Sequence, residues 1–448
     1  MSNIPSSDSR SHSFFSFLKD LKEVFSEHRR EMTCLSLIAA LILFSYSVAR
    51  GPSESLFLKY HDRSLLPGLW IEMGVAAMGL VAIYNRSLNF FSLYQVFHFS
   101  FFLTAGLFAA LLNDHLYVAE TTFNFLGQTF PMGSATLLRI WCDLYIVLLV
   151  ETFWSISNLH FNLKSATLIY GFLGMAGSLG SMAGNFLTAL YAKELGTESL
   201  ILLAIPSALL MSLCLWPLRD SFGQVEKKHQ QDQKSSSFIE GLKVITNSRY
   251  LPLILLLVLS SQISVTLIDY QYKGLLQDLF TDMNDRSAIQ GWVYLSIDVG
   301  SILMQALTGL TITLLGVGAT LNLIPLLLLV FCAIPLFTPL FMMIALGKSA
   351  SKFLTYSIFK SAKELIYLPL SYAEQTQGKA LIDIMVYRQA KLVASLILIS
   401  LSAQQVSTQT SGLYTVISIS IWLIISVLLW FRIKRDQVKM ASVAHKDH

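Results

Sequence analysis

Long apolar runs separated by short polar breaks set the pattern of this chain. Such runs lie near residues 32–49, 68–84, 91–112, 137–159, 166–190, 198–217, 250–272, 289–313, 317–337, 338–359, 380–403 and 412–431. A helix needs about 20 apolar residues to cross the hydrocarbon layer, so about twelve transmembrane helices are expected. Their ends are soft by ~2–4 residues. Only Thr338 and Pro339 punctuate the pair 317–337 and 338–359. Strands are not expected, because lipid admits only helices or closed barrels and these runs exceed barrel strands.

The polar breaks then give the topology. The longest, 219–248, carries Arg219, Lys227, Lys228, Lys234 and Lys243. It divides the chain into a first six-helix half, 32–218, and a second, 249–432. Residues 433–448 form a basic tail with Lys434, Arg435 and Lys439. Basic segments stay on the cytoplasmic side, so both termini and the central loop are expected there. In 1–31, Phe14, Phe17, Leu18, Leu21 and Phe25 recur at helical spacing, which suggests an amphipathic helix on the cytoplasmic face. No cleavable signal is expected. The plan is that of an all-α membrane protein resembling the major facilitator architecture, in which substrate sits at the midplane between halves.

Composition agrees with a lipid solvent. Of 448 residues, 54% are hydrophobic and 13% charged, against about 25% charged in soluble domains. The net charge of +4 is too weak to argue for nucleic acid. Cys34, Cys142, Cys214 and Cys332 each sit alone in an apolar run, so neither zinc nor a disulfide is expected. No metal or other cofactor is implied. Neither HExxH nor GxSxG occurs, and the Gly-rich run at 174–185 is neither GxGxxG nor a P-loop. Enzymatic and NTP-hydrolysing roles are disfavoured. Membrane lipid is the expected surrounding, and a monomer is compatible with the plan.

Charges inside the spans carry the functional signal, because each costs at least ~2.5–3.5 kcal/mol at mid-bilayer. Arg50 and Glu54 close the first span and Glu72 opens the second. Arg139, Asp143 and Glu151 lie in the fourth, Asp269 and Lys273 in the seventh, Asp298 in the eighth. Lys348 and Lys352 lie in the tenth, and Asp383, Arg388 and Lys391 in the eleventh. Arg139/Asp143 and Asp269/Lys273 stand one turn apart, a spacing for ion pairs. Lys348/Lys352 repeat one sign at that spacing, so they need an acid on another helix or an anionic substrate. The second half supplies most of these cations, which suits a phosphate ester.

Residues 359–391 read FKSAKELIYLPLSYAEQTQGKALIDIMVYRQAK. This resembles a signature of the non-mitochondrial ATP/ADP translocase family of plastids and intracellular bacteria. Lys363, Glu364, Tyr367, Pro369, Gly378, Lys379, Asp383, Arg388 and Lys391 match at fixed spacing. Weaker likenesses are TLIDYQYK (Asp269, Lys273), KFLTYSIF (Lys352) and ETFWSISN (Phe153, Trp154, Asn158). Asp143 lies within one residue of a family Glu. The chain also departs from the pattern: Ser53 stands for a substrate-linked Lys, and Thr167 and Leu168 replace two further cations.

The resemblance implies a nucleotide transporter of the ATP/ADP antiporter kind, its site residues being Asp143, Asn158, Asp269, Lys273, Lys352, Arg388 and Lys391. Arg50, Lys363, Glu364 and Asp383 are its gate or interdomain candidates. Trp154 or Tyr170 is a candidate for stacking the base. A bacterial inner membrane is the expected location. A carrier of a less charged or non-nucleotide metabolite is the alternative favoured by the missing cations. A non-transporting scaffold or receptor is the alternative from another class, and predicts intramembrane charges that all pair off. The small-residue stripe Gly177, Ser181, Asn185 and its neighbours Gly180 and Gly184 read first as a close helix approach. His98, alone within a span, reads first as structural.

Overall fold

The computed structural model describes residues 28–444 apart from 89, 114–117, 126–127, 162, 220–237, 338–339, 368–369, 372–373, 375–378, 380–381, 383–386 and 403–407. The proposed N-terminal amphipathic segment and most of the central loop lie outside the described residues. The first half contains α1 (Arg29–Tyr60), α2 (Leu66–Ser87), α3 (Leu93–Leu111), α4 (Ser134–His160), α5 (Leu163–Leu195), α6 (Thr197–Leu202) and α7 (Ala204–Leu215). After α8 (Phe238–Asn247) come α9 (Leu251–Leu279), α10 (Met283–Phe337), α11 (Phe341–Leu354), α12 (Lys360–Tyr367), α13 (Tyr387–Ser402) and α14 (Thr408–Ala444). A π-helical turn, Thr355–Phe359, joins α11 to α12.

Local chemistry sets these boundaries. Ser92 and Gln95 form a reciprocal capping box that starts α3, satisfying amide donors the helix leaves free. Pro residues open α2 and α9, where a missing N–H costs nothing. Gly196 parts α5 from α6 at φ 81°, a conformation most side chains avoid. Gly316, at φ 77° and ψ 162°, likewise breaks α10. At 1.5 Å per residue an unbroken α10 would be roughly 80 Å long, far beyond a bilayer. It is therefore two helices meeting at Gly316.

Among the described residues, seven helical stretches are long and apolar enough to cross a membrane. They include α1, α2, α3, α9, α10 as one stretch, and parts of α6–α7 and α14. The expected spans 137–159, 166–190, 338–359 and 380–403 fall on α4, α5, α11 and α13. These helices are shorter, or are diluted by charge and glycine. The charges that make them interesting are what remove them from an apolarity count.

One expectation is overturned. An antiparallel β-hairpin, β1 (Thr121–Phe125) and β2 (Gln128–Met132), lies between α3 and α4. It sits between spans, where water satisfies the outer backbone groups, so the lipid argument against strands does not reach it. Its end of the bundle, where α1 and α9 stop, is the hairpin end below.

Each half has its own apolar core. In the first, Leu35, Phe97, Phe101, Phe108, Tyr145 and Met211 are buried together. In the second, Leu257, Leu328, Phe359, Trp422 and Leu429 are. A smaller cluster, with Phe57, Trp70, Leu267 and Leu398, joins the two. The glycine stripe of α5 packs on α1. A Cβ on Gly184 would lie 2.7 Å from the Phe44 carbonyl oxygen, and one on Gly180 would overlap the Ala40 backbone. The opposite face of α5 meets α10, where a Cβ on Gly291 would overlap the Ala189 backbone.

Candidate functional site

Seven charged side chains form an unbroken row through the middle of the bundle. Lys391 Nζ on α13 lies 3.8 Å from Asp143 Oδ2 on α4. Asp143 Oδ1 accepts from Arg139 Nη1 at 2.8 Å, one turn away. The other Arg139 nitrogen, Nη2, is 3.6 Å from Glu54 Oε2 on α1. The same Glu54 oxygen lies 2.9 Å from Lys273 Nζ on α9. Lys273 is 3.0 Å from Asp269 Oδ2, and Asp269 Oδ1 bonds Lys348 on α11. Signs alternate along the row, four cations to three acids. Two of its links, Asp143–Lys391 and Glu54–Lys273, join the halves.

Burial is uneven along this row. Glu54, Arg139, Lys273 and Lys348 are buried, whereas the Lys391 side chain is 39% exposed and Asp143 21%. Buried charges persist only when compensated, and the closed middle of the row provides that. The Asp143–Lys391 end is the part another anion can reach.

Aromatic faces fix several of the cations. The Trp70 ring centre is 5.3 Å from Lys273 Nζ and 5.6 Å from Lys391 Nζ. Arg50 lies 4.2 Å from the centre of Tyr294 and 5.4 Å from that of Tyr46. Lys352 Nζ lies 5.5 Å from Tyr356. Cation–π attraction of this kind strengthens where water is excluded. Pro52 sits inside α1 between Arg50 and Glu54 and has no N–H for the Val48 carbonyl.

The structure thus brings together Asp143, Asp269, Lys273 and Lys391, with Lys352 and Arg50 beside them. The Asn158 and Arg388 side chains and all of Asp383 lie outside the described residues. Lys363 is buried in α12, near the end opposite the hairpin, and Glu364 bonds Lys379 of its own half. The Lys348 counterpart proves to be an acid, Asp269. Arg139, Glu54 and Lys348 belong to the row although they were absent from the candidate site set. Tyr46, Trp70, Tyr294 and Tyr356 were missed altogether. Tyr46/Arg50 and Lys352/Tyr356 at i,i+4 were a usable signal. Trp154 and Tyr170 meet each other edge-on at 5.1 Å, packed against the first-half core.

A second polar junction crosses the halves. Asp298 on α10 accepts from Ser181 Oγ and Asn185 Nδ2 on α5, each at 2.8 Å. Ser181 is also 3.0 Å from Ser47 of α1. Toward the hairpin end, Gln290 donates to Ser55 at 3.0 Å and Arg286 to the Leu58 carbonyl at 3.1 Å. Gln277 donates to the Leu58 and His61 carbonyls at 2.9 Å, and Arg63 pairs with Asp278 at 2.7 Å. Thr197 meets Asn284 and Ser287, and Lys193 meets Asp285 at 2.8 Å. These bonds close the hairpin end. The bonds described at the other end stay within one half, as in Ser248–Glu374 and Glu364–Lys379. His98 takes the structural part, 3.0 Å from Ser212 Oγ and stacked on Tyr94.

The comparisons with known proteins agree with a carrier. The ADP,ATP carrier protein 1, chloroplastic, of Arabidopsis thaliana is 24% identical, over 87% of this chain and 72% of its own length. The plastidic ATP/ADP-transporter of Solanum tuberosum is 23% identical, over 77% of this chain and 63% of its own length. ADP,ATP carrier protein 3 of Rickettsia conorii is 22% identical, over 82% and 87% respectively. Among solved structures, the nucleoside transporter NupG matches with a TM-score of 0.59 at 12% identity, covering 90% of this chain and 97% of that one. That likeness shows a shared helical fold. The model of the TLC ATP/ADP transporter family matches residues 8–435, and the chain belongs to that family of membrane proteins.

Proposed function

We propose that this protein carries nucleotides across a bacterial inner membrane by alternating access. The single observation that carries the reading is the charge row, which joins both halves, leaves a net positive charge, and opens at Asp143–Lys391. An anion entering there competes with Asp143 for Lys391, exchanging one charge-assisted partner for another. The names of the relatives supply the nucleotide.

In this reading there are twelve spans in two halves of six, with α10 counted as two and both termini cytoplasmic. The hairpin end faces outward, and its bonds between halves make this an inward-facing arrangement. Asp143, Asn158, Asp269, Lys273, Lys352, Arg388 and Lys391 meet substrate or order those that do. Arg50, Lys363, Glu364 and Asp383 act in gating or in fastening segments.

The test is uptake of labelled ATP, ADP and other nucleotides into liposomes holding the purified protein. Saturable uptake that unlabelled nucleotide competes away is the expected result. A folded protein with no saturable uptake of any nucleotide would sink the reading. A second reading, transport of a different anionic metabolite, is favoured by Ser53 and by Thr167-Leu168 in place of family cations. A panel of anions screened for a rise in melting temperature separates the two, since ligands that bind only the native state stabilise it.

A further inference from the structure

Among the described residues the three acids of the row, and Asp298 nearby, already have partners. Glu54, Asp143 and Asp269 each hold cations, and Asp298 is held by Ser181 and Asn185. Beside the row, among the described residues, Arg50 and Lys352 have no carboxylate in ion-pair range; Arg286, similarly unpaired, lies toward the hairpin end on the Leu58 carbonyl. Arg50 Nε is also buried without a hydrogen-bond partner. Its guanidinium is fixed against Tyr294 and Tyr46. The residue is thus positioned, with no carboxylate in contact with it.

Lys352 lies on α11, in the other half, one turn past Lys348. Asp269 serves Lys348, which leaves Lys352 the cation the i,i+4 pair cannot neutralise. Tyr356, 50% exposed, carries Lys352 against its ring at 5.5 Å. Tyr294, which carries Arg50, packs with Ile344 and Ala345 of α11, and Ser296 of the same turn meets Ser349, one turn before Lys352, at 2.8 Å. A planar guanidinium fork, an ammonium and a phenol are three kinds of donor suited to a tetrahedral oxyanion. Two positive charges without a contacting carboxylate match the two negative charges that a terminal phosphate brings.

We infer that Arg50 and Lys352, one from each half, seat the terminal phosphate of the substrate, with Tyr356 as a third donor. The inference rests on the nucleotide reading for the rest of the ligand, but the seat itself needs only a polyphosphate. It makes Arg50 a substrate residue and not only a gate. Anion binding there draws α1 toward α11, which couples loading to approach of the halves.

The experiment pairs two readouts on purified wild-type protein and on Arg50→Gln, Arg50→Lys, Lys352→Gln and Tyr356→Phe. Melting is followed with inorganic pyrophosphate and with adenosine, and KM for ADP is measured in liposomes. Pyrophosphate should raise the wild-type melting temperature and leave R50Q and K352Q unmoved. Loss of one charged hydrogen-bond donor should raise KM for ADP by about 10–100-fold in R50Q and K352Q. Tyr356→Phe should raise it about 3–10-fold, and Arg50→Lys should recover part of the loss. A wild-type KM in R50Q and K352Q, with nucleotide uptake intact, would overturn the seat and leave the transport reading standing. No nucleotide uptake in wild type, with a pyrophosphate shift that R50Q abolishes, would keep the seat and remove the nucleotide. No pyrophosphate shift in wild type overturns the seat. If R50Q fails to fold, K352Q and Y356F decide by the same criteria.

Discussion

The charge row has a closed middle and an open end, and the two are built differently. Glu54, between Arg139 and Lys273, is shared by two cations at 3.6 and 2.9 Å and has almost no exposure. Asp143–Lys391, at 3.8 Å, is loose and reachable. The middle balances charge that water cannot reach, whereas the open end can trade partners. A carrier needs both: a fixed scaffold of charge, and a pair weak enough to yield to cargo.

The largest effect is expected from Glu54→Ala. It removes the carboxylate that Arg139 and Lys273 share and leaves Asp143 and Asp269 to balance four buried or half-buried cations, a loss of about 3–5 kcal/mol. Thermal and chemical melts in detergent should show a large drop, and the paired change Glu54→Leu with Lys273→Met should recover much of it. A wild-type melt for E54A would erase the distinction between middle and end. Lys391→Ala comes next: about 1 kcal/mol or less in stability, because this pair is partly solvated. Its transport KM should nevertheless rise by about tenfold or more. A melt as damaged as that of E54A would move Lys391 into the scaffold. The smallest stability change belongs to Arg63→Ala at the hairpin end, again ~1 kcal/mol or less for an exposed pair. There the informative readout is labelling of cysteines introduced beside Gln277, which should become faster as that end loosens. Unchanged labelling would mean that the other bonds at this end hold it without Arg63.

Much of the fold could be read from hydrophobic length alone, since runs of apolar residues dictate helices in lipid. The ion pairs Arg139–Asp143 and Asp269–Lys273 were also readable, because i,i+4 spacing is a property of one helix. What spacing could not supply was which helices meet. Glu54 stood out as a costly charge, yet only the approach of α1, α4 and α9 makes it the hub of the row. The second-half bias of the cations was softened for the same reason: Arg50 and Arg139 come in from the first half. Trp70 escaped notice since an aromatic in an apolar span carries no mark until two ammoniums lie near it. The hairpin was missed because the reasoning that forbids strands applies to the hydrocarbon layer and was extended beyond it.

The glycine stripe of α5 has a mechanical consequence. Gly180 and Gly184 let α1 lie so close that backbone rests on backbone, leaving little layer of soft side chains there to absorb a tilt. The two helices therefore behave as a single stiff beam. On one strut of that beam sit Arg50 and Glu54. On the other sit Ser181 and Asn185, which grip Asp298 of the opposite half. A push on the first strut arrives at the Asp298 joint with little lost along the way, so the beam gears events at the charge row to the seam that keeps the hairpin end shut.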